Sequence, residues 1–348
     1  MLSVSFSEAG LSTLALAKIG NPLRGEPLLT SKNLCHFADE EADLLTTCFL
    51  KSFKSLDQHR LDGERGPDSN PMFEYATAVF EDSDQLLGAA TEISKHLYAK
   101  SHHPNIKSGD LCISLIEGII VGGDAVQGLC IIKSESKVPF LQISELEGDL
   151  TLTTQHGIYP DKIDKGCLIV NSKSDEGYVV YLFDKSGNTH FWNRDFAGAV
   201  PVRDEDYLTK RFGELCVDFA SKGLPPETKE ERRMEVANKA LTYLNDNEQF
   251  SLGEFEQALD EPDLIEQFSA FKEHYEEETG AEIDDEFSVS KTEAKKAKRK
   301  LKGKVKLDTG AELRFSSAFI DQSDSLLERG FDEGKGMNFV KIYFSEEV

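Results

Sequence analysis

The chain has 348 residues, 39% of them hydrophobic, which suffices for one large core or two modest ones. Its formal net charge of −24 repels phosphate, so nucleic-acid binding requires a local basic patch. The six cysteines include no CxxC pair, which argues against a zinc ribbon. The first 21 residues lack the basic region and long apolar stretch of a signal peptide, and the longest apolar stretch, 111–123, is too short for a membrane span. We therefore expect a cytoplasmic protein with no membrane contact.

The first predicted elements are a strand and two helices. Residues 11–19 form an apolar run that ends at a Gly-Asn-Pro turn signal, which is typical of a buried strand. Apolar residues at helical spacing behind an acidic first turn predict a helix over 39–56. A second helix is predicted over 82–101, before His103-Pro104.

From Asp110 the pattern changes to short strands. Runs at 111–121, 128–135 and 138–144, separated by Gly122-Gly123-Asp124 and by a polar segment, predict an antiparallel meander. A further strand pair is predicted at 166–173 and 177–184, and a helix over 209–223 is expected to close the domain. Residues 1–224 are thus predicted to form an α+β domain around a mainly antiparallel sheet with flanking helices.

Residues 225–348 have a different composition. An acidic helical region covers 227–286, a basic tract follows, and the chain ends in a small β-rich tail. We predict a second, C-terminal region with these three parts, and the α+β class for the whole chain.

The basic tract, residues 291–306, holds nine basic residues and one acidic residue. Such segregated charge on an acidic protein predicts a strip that binds DNA phosphates, and the lack of aromatics favours backbone contacts over base stacking. Helical spacing in its first half and alternation in its second half predict a helix followed by a strand. The alternative is a solvated tract that pairs with neighbouring acidic helices. The predicted contacts are Lys291, Lys295, Lys296, Lys298, Arg299, Lys300, Lys302, Lys304 and Lys306.

A second candidate site consists of Asp124, Glu135 and Lys137. Nucleases of the PD-(D/E)xK type place an acid near one strand and E-x-K on the next, where two carboxylates hold Mg²⁺ and the lysine assists the attacking water. The alternative is an ordinary polar strand end, because an acid and a lysine two residues apart are common. Mg²⁺ is the cofactor only if this site exists, and we otherwise expect none.

A third candidate is the loop that carries His102, His103 and Lys107. A loop between a helix and a strand can present such side chains to a phosphate or a partner, although a plain surface turn is the alternative. The motifs GxSxG, GxxxxGK[ST] and GxGxxG after a strand are missing, which excludes those enzyme families.

Several segments resemble the bacterial nucleoid-associated protein family of the NdpA/YejK type. They are KIGN, LYAKSHHPNIKSGDL, IIKSESKVPFLQI, GIYPDKIDKGCLIVN and YLTKRFGELCVDFA, and the likeness runs from about Leu11 to the C-terminal FVKIYF. The resemblance implies association with the nucleoid, binding to double-stranded DNA, homodimers and partnership with type II topoisomerases; it supplies no catalytic residues.

We therefore expect a non-enzymatic DNA-associated protein with sequence-independent contacts. Two alternatives remain: the Mg²⁺-dependent nuclease, and an acidic scaffold that mimics DNA toward a DNA-handling enzyme such as a topoisomerase.

Overall fold

The computed structural model divides the chain into two units, Met1–Val202 and Arg203–Val348. It describes residues 4–54, 56–146, 148–187, 190–280, 282–300, 303–306, 308–315, 319 and 323–346. The α+β class is confirmed, with a large antiparallel sheet in the first unit and mainly helices in the second. None of the helices in this described part is both long and apolar enough to span a bilayer.

The first unit contains eleven strands among its described residues, nine of which form one antiparallel sheet in the order β11-β4-β10-β9-β6-β5-β2-β3, with β1 beside β5. The strands are β1 Val4–Ser5, β2 Gly10–Ile19, β3 Leu29–Thr30, β4 His59–Leu61, β5 Gly109–Val121, β6 Asp124–Ser134, β7 Val138–Leu146, β8 Asp149–Gly157, β9 Lys165–Val170, β10 Val179–Asp184 and β11 Ala199–Pro201. Gly122 and Gly123 both have positive φ, at 61° and 104°, as a two-residue hairpin turn between β5 and β6 requires.

Both faces of this sheet are buried, which explains why its central strands read as continuous apolar runs. On one face, α2 Pro71–Glu81 and α3 Leu86–Lys100 pack on alternate residues such as Ile113 and Ile131. On the other face, α1 Asp39–Leu50 packs near Cys112 and Ile132. The sequence does not predict α2, although Asn70 caps it by accepting a bond from the Met72 N–H, and a proline follows at its first position.

The predicted meander is wrong at its third strand. β7 pairs with β8 in a separate two-stranded ribbon, and the neighbour of β6 on that side is β9. The reason is a turn after β6: one carboxylate oxygen of Asp164 accepts the backbone N–H groups of Glu135, at 2.6 Å, and Ser136, at 3.1 Å. This turn directs the chain away from the edge that β9 occupies.

The second unit is built around a core rich in phenylalanine. Phe212 lies at its centre, with ring centroids 4.2 Å from Phe250 and 5.0 Å from Phe255. The elements are α4 Glu205–Asp218, α5 Glu230–Asp246, β12 Gln249–Ser251, α6 Leu252–Leu259, α7 Pro262–Thr279, β13 Glu286–Ser288, α8 Lys291–Lys300, β14 Gly303–Lys306, β15 Glu312–Phe315, α9 Ser323–Leu326, β16 Leu327–Asp332 and β17 Met337–Ile342.

The helix α4 belongs to this second core. The sequence assigns it to the end of a first domain at residue 224, because Gly223 and Pro225-Pro226 follow it. In the structure the buried residues of α4, Phe212 and Leu215 among them, pack with those of α5 to α8, and the units divide after Val202.

Candidate functional site

The basic tract begins as the predicted helix, α8. Ser290 caps it by accepting a bond from the Glu293 N–H at 3.3 Å, and Ser290 itself is tied to α4 through its own N–H and Thr209, 2.9 Å away. Ala294 is fully buried and Ala297 half-buried, so this side of α8 packs against α4 and α5. The remaining sides carry the charges.

Two of the predicted DNA contacts face the second core. The Lys291 ammonium donates to the carbonyl oxygens of Asn245, at 2.8 Å, and Asn247, at 2.7 Å, where it caps the C-terminal end of α5. The Lys298 ammonium lies 3.2 Å from the Thr242 hydroxyl on the same helix. These lysines hold α8 against α5, so we do not count them among the exposed cations of the tract.

Four other cations of α8 are exposed: Lys295, Lys296, Arg299 and Lys300. They span about 7.5 Å of helix axis. Lys296 pairs with Glu293 at 2.6 Å, and this hydrogen bond raises the lysine pKa. No ion pair of Lys295, Arg299 or Lys300 occurs within the described residues. We call these four residues the α8 cationic side.

The second half of the tract is the predicted strand, β14. Lys304 and Lys306 occupy alternate positions on it and pair in register with Arg314 and Glu312 of β15. Lys302 lies outside the described residues.

A second candidate site is a cluster of buried charges at one end of the large sheet. Lys133, at the end of β6, is the register partner of Lys165 on β9, and Lys165 is the register partner of Asp184 on β10. Glu135 follows directly after β6. The side chains of these four residues, the buried charge cluster, are between 0% and 2% exposed.

The cluster forms three ion pairs, two of them short. The Lys133 ammonium lies 2.7 Å from Glu135 Oε1 and donates to the Lys107 carbonyl oxygen at 2.7 Å. The Lys165 ammonium lies 2.8 Å from Asp184 Oδ1 and 3.7 Å from Glu135 Oε1. Ser186 donates its hydroxyl and its N–H to Asp184 Oδ1, each at 2.7 Å. The other oxygen, Asp184 Oδ2, is buried and accepts no hydrogen bond from the described residues.

Burial sets the energetics of this cluster. It lowers the pKa of Lys133, although the Glu135 charge opposes the shift. Burial favours the neutral Asp184 carboxyl, but hydrogen bonds from Lys165 and Ser186 outweigh it and hold the Asp184 pKa below its ordinary value. Buried ion pairs seldom stabilise a fold over apolar residues of similar volume, so four such charges beside a cavity form a candidate functional site.

A cavity of about 300 Å³ opens beside this cluster. It brings together two residues of the predicted loop, His103 and Lys107, with Glu135 and Lys165. The remaining lining residues are Asn105, Ile106, Ser186, Gly187 and Phe191. His102 is exposed and does not line the cavity.

The nuclease triad predicted from sequence is not formed. Asp124 begins β6 and Glu135 follows its end, so the two lie roughly 35 Å apart along an extended strand of 11 residues. Lys137 pairs instead with Asp110 at 3.0 Å. One Mg²⁺ cannot contact both carboxylates. Within the described residues there is also no group of three or more His, Cys, Asp or Glu side chains placed to hold a metal ion.

Sequence reasoning missed Lys133, Lys165, Asp184 and Ser186. Their one signal is position, because each charged residue stands at the end of an apolar strand run, as in IIKSE, DKGCLIV and LFDKS. Which of these ends meet depends on strand pairing, which local patterns do not give.

The family described as NA37, nucleoid-associated protein YejK, matches residues 20–335. No curated protein matches the chain. The family match spans the buried charge cluster and α8 alike.

Proposed function

The chain belongs to the family of the nucleoid-associated protein YejK, and from this premise we propose that it binds double-stranded DNA non-enzymatically, through sequence-independent backbone contacts. The contact surface is the α8 cationic side. A protein with this role works at the bacterial nucleoid, in the cytoplasm.

The observation that carries this proposal is the exposure of Lys295, Lys296, Arg299 and Lys300 on an acidic protein. Duplex DNA presents about one charge per 1.7 Å of axis, so the 7.5 Å of α8 faces roughly four phosphates. Because Lys296 already pairs with Glu293, we count the other three residues as about three full phosphate contacts. Each contact contributes about −0.9 to the log–log salt slope, which predicts a slope of roughly −2.7 from α8.

The test compares two triple variants by fluorescence anisotropy with a labelled duplex at several salt concentrations. Lys295→Ala/Arg299→Ala/Lys300→Ala should weaken binding to all sequences alike and flatten the slope by roughly 2.7. The control removes three exposed lysines from the first unit, Lys32, Lys54 and Lys95, and so changes the net charge equally. It should leave the slope unchanged.

Equal slopes in the α8 variant and the wild type would place the DNA contact elsewhere. No duplex binding at low salt would favour the acidic scaffold, whose proposed partner is a type II topoisomerase. Sedimentation of the purified protein with such an enzyme, in the absence of DNA, tests that partnership directly.

We also propose that the protein is a homodimer, and the β7–β8 ribbon supports this. Leu141, Ile143, Leu150 and Leu152 share one face of the ribbon through the register Ile143↔Leu152, and each is between 64% and 79% exposed. A two-stranded ribbon with an apolar face is marginally stable unless something covers that face.

The chemistry of the ribbon favours a second copy of the chain over DNA. Residues 138–157 contain no Lys or Arg, and acidic residues stand at 145, 147 and 149 around its turn, so this ribbon repels phosphate. At its base, Ile158 lines an apolar groove of about 400 Å³ with Leu16 and Leu29. An arm and a groove on the same chain allow two copies to exchange arms around a twofold axis.

Light scattering tests the dimer. The wild type should have twice the 38.8 kDa chain mass at micromolar concentration, and Ile143→Thr/Leu152→Thr should give the mass of one chain. The control, Gln142→Thr/Thr153→Ser, changes the opposite face and should remain dimeric. A monomeric wild type, or a dimer unaffected by the first change, contradicts the proposal.

A further inference from the structure

The cavity beside the buried charge cluster carries a second inference. We propose that it binds a phosphate monoester, carried by a free nucleotide or by the 5′ end of a DNA strand. This does not rest on the duplex contact proposed for α8, because it concerns different residues in a different unit of the chain.

The charges of the cavity favour an anion. Lys133 balances Glu135, and Lys165 balances Asp184, so the cluster is neutral as a whole. The exposed Lys107 then makes the cavity positive. A cation would require carboxylate oxygens free of lysine partners, and Glu135, the carboxylate that lines the cavity, is engaged at 2.7 Å.

The rim of the cavity supplies donors that phosphate oxygens accept. Lys107 contributes an ammonium and Asn105 an amide, and the Lys165 ammonium, fixed by Asp184, also lines the cavity. His103 and Lys107 are exposed and lie in one loop, which the Lys133 ammonium holds through the Lys107 carbonyl oxygen. The loop is therefore held in place, which reduces the reordering that anion binding requires.

The size of the cavity points to a small ligand. A volume of about 300 Å³ lies at the lower end of the range for small-molecule sites, so the cavity suits one nucleotide and not a duplex.

The experiment is calorimetric titration of the full chain with deoxyadenosine 5′-monophosphate, with deoxyadenosine as the control ligand. The monophosphate should bind and the nucleoside should not. Lys107→Ala should weaken binding about tenfold, since it removes one charge-assisted hydrogen bond, and Lys107→Arg should restore most of it. Both changes affect only the side chain of Lys107, so its backbone carbonyl oxygen can still accept the bond from Lys133.

Lys137→Ala is the matched control variant. It removes one exposed lysine beside the same strand, but Lys137 pairs with Asp110 and does not line the cavity. Its affinity for the monophosphate should equal that of the wild type. Absence of binding at millimolar monophosphate, or equal weakening by Lys137→Ala and Lys107→Ala, overturns the proposal.

A duplex with and without 5′-phosphates separates the two sources of the ligand. If the DNA end is the ligand, the phosphorylated duplex binds more tightly, and Lys107→Ala abolishes the difference. If the free nucleotide is the ligand, the two duplexes bind equally while the monophosphate still binds. Lys295→Ala/Arg299→Ala/Lys300→Ala should leave monophosphate binding intact, so failure of the duplex contact and failure of this site are distinguishable.

Discussion

Replacing Lys133 with Met should strongly destabilise the first unit. The change leaves the Glu135 carboxylate buried, with Lys165 at 3.7 Å as its remaining ion-pair partner within the described residues, and Lys165 already serves Asp184. Removal of one member of a buried pair costs about 3–5 kcal/mol. This is a large share of the roughly 5–15 kcal/mol by which a domain is stable.

The double variant Lys133→Met/Glu135→Leu should recover about 3 kcal/mol of that loss. It removes the pair together and leaves Lys165 and Asp184 balanced, so no buried charge is unpaired. Lys137→Met, which removes an exposed lysine that pairs at the surface, should cost about 0–1 kcal/mol.

Urea unfolding followed by tryptophan fluorescence measures these free energies. Trp192 is the single tryptophan and is fully buried in the first unit, where its indole N–H donates to the Gly166 carbonyl oxygen at 2.8 Å. Its emission therefore reports on that unit. A loss below about 1 kcal/mol for Lys133→Met, or a double variant as unstable as the sum of both single changes, would refute the reasoning.

Three further outcomes are expected. Ellman's reagent should modify the half-buried Cys35 in the native protein but not Cys112, because burial raises the pKa of the Cys112 thiol to about 12; equal reactivity contradicts this. The lowered pKa of Asp184 contributes stability that is present above about pH 4 and lost as the pH falls through the folded-state pKa. Unfolding curves measured below pH 4 should therefore fall more steeply for the wild type than for Asp184→Asn, and parallel curves would argue against it. Lys291→Ala should destabilise the second unit by about 1 kcal/mol, because the cap of α5 is lost, and so lower its melting temperature. Fluorescence anisotropy should show unchanged affinity for the duplex. Weakened DNA binding would instead return Lys291 to the contact surface.

The basic tract shows how tertiary packing revises a charge pattern. Sequence spacing places Lys291, Lys295 and Lys298 on one helical face. Ala294 anchors that region of α8 in the core, so Lys291 and Lys298 turn toward α5. A run of charges specifies a helix, but the small residues within it decide which charges reach solvent.

The sequence by itself determined the family, the α+β class and the central strands β2, β5, β6, β9 and β10. Each of these strands is a local apolar run bounded by turn residues, and such signals depend on neighbours along the chain. It also located the basic helix, since segregated charge at helical spacing is equally local. The helix α2 was not predicted, although its Asn-Pro start is a local signal.

Only the tertiary structure decided which strand ends meet. Lys133, Lys165 and Asp184 are far apart in the chain and become neighbours because β6, β9 and β10 pair in one register. The same pairing excluded β7 from the sheet, and the length of β6, 11 residues, separates Asp124 from Glu135. A strand pattern records which faces are buried, whereas the choice of partner depends on contacts between distant segments, and no periodicity within a segment encodes it.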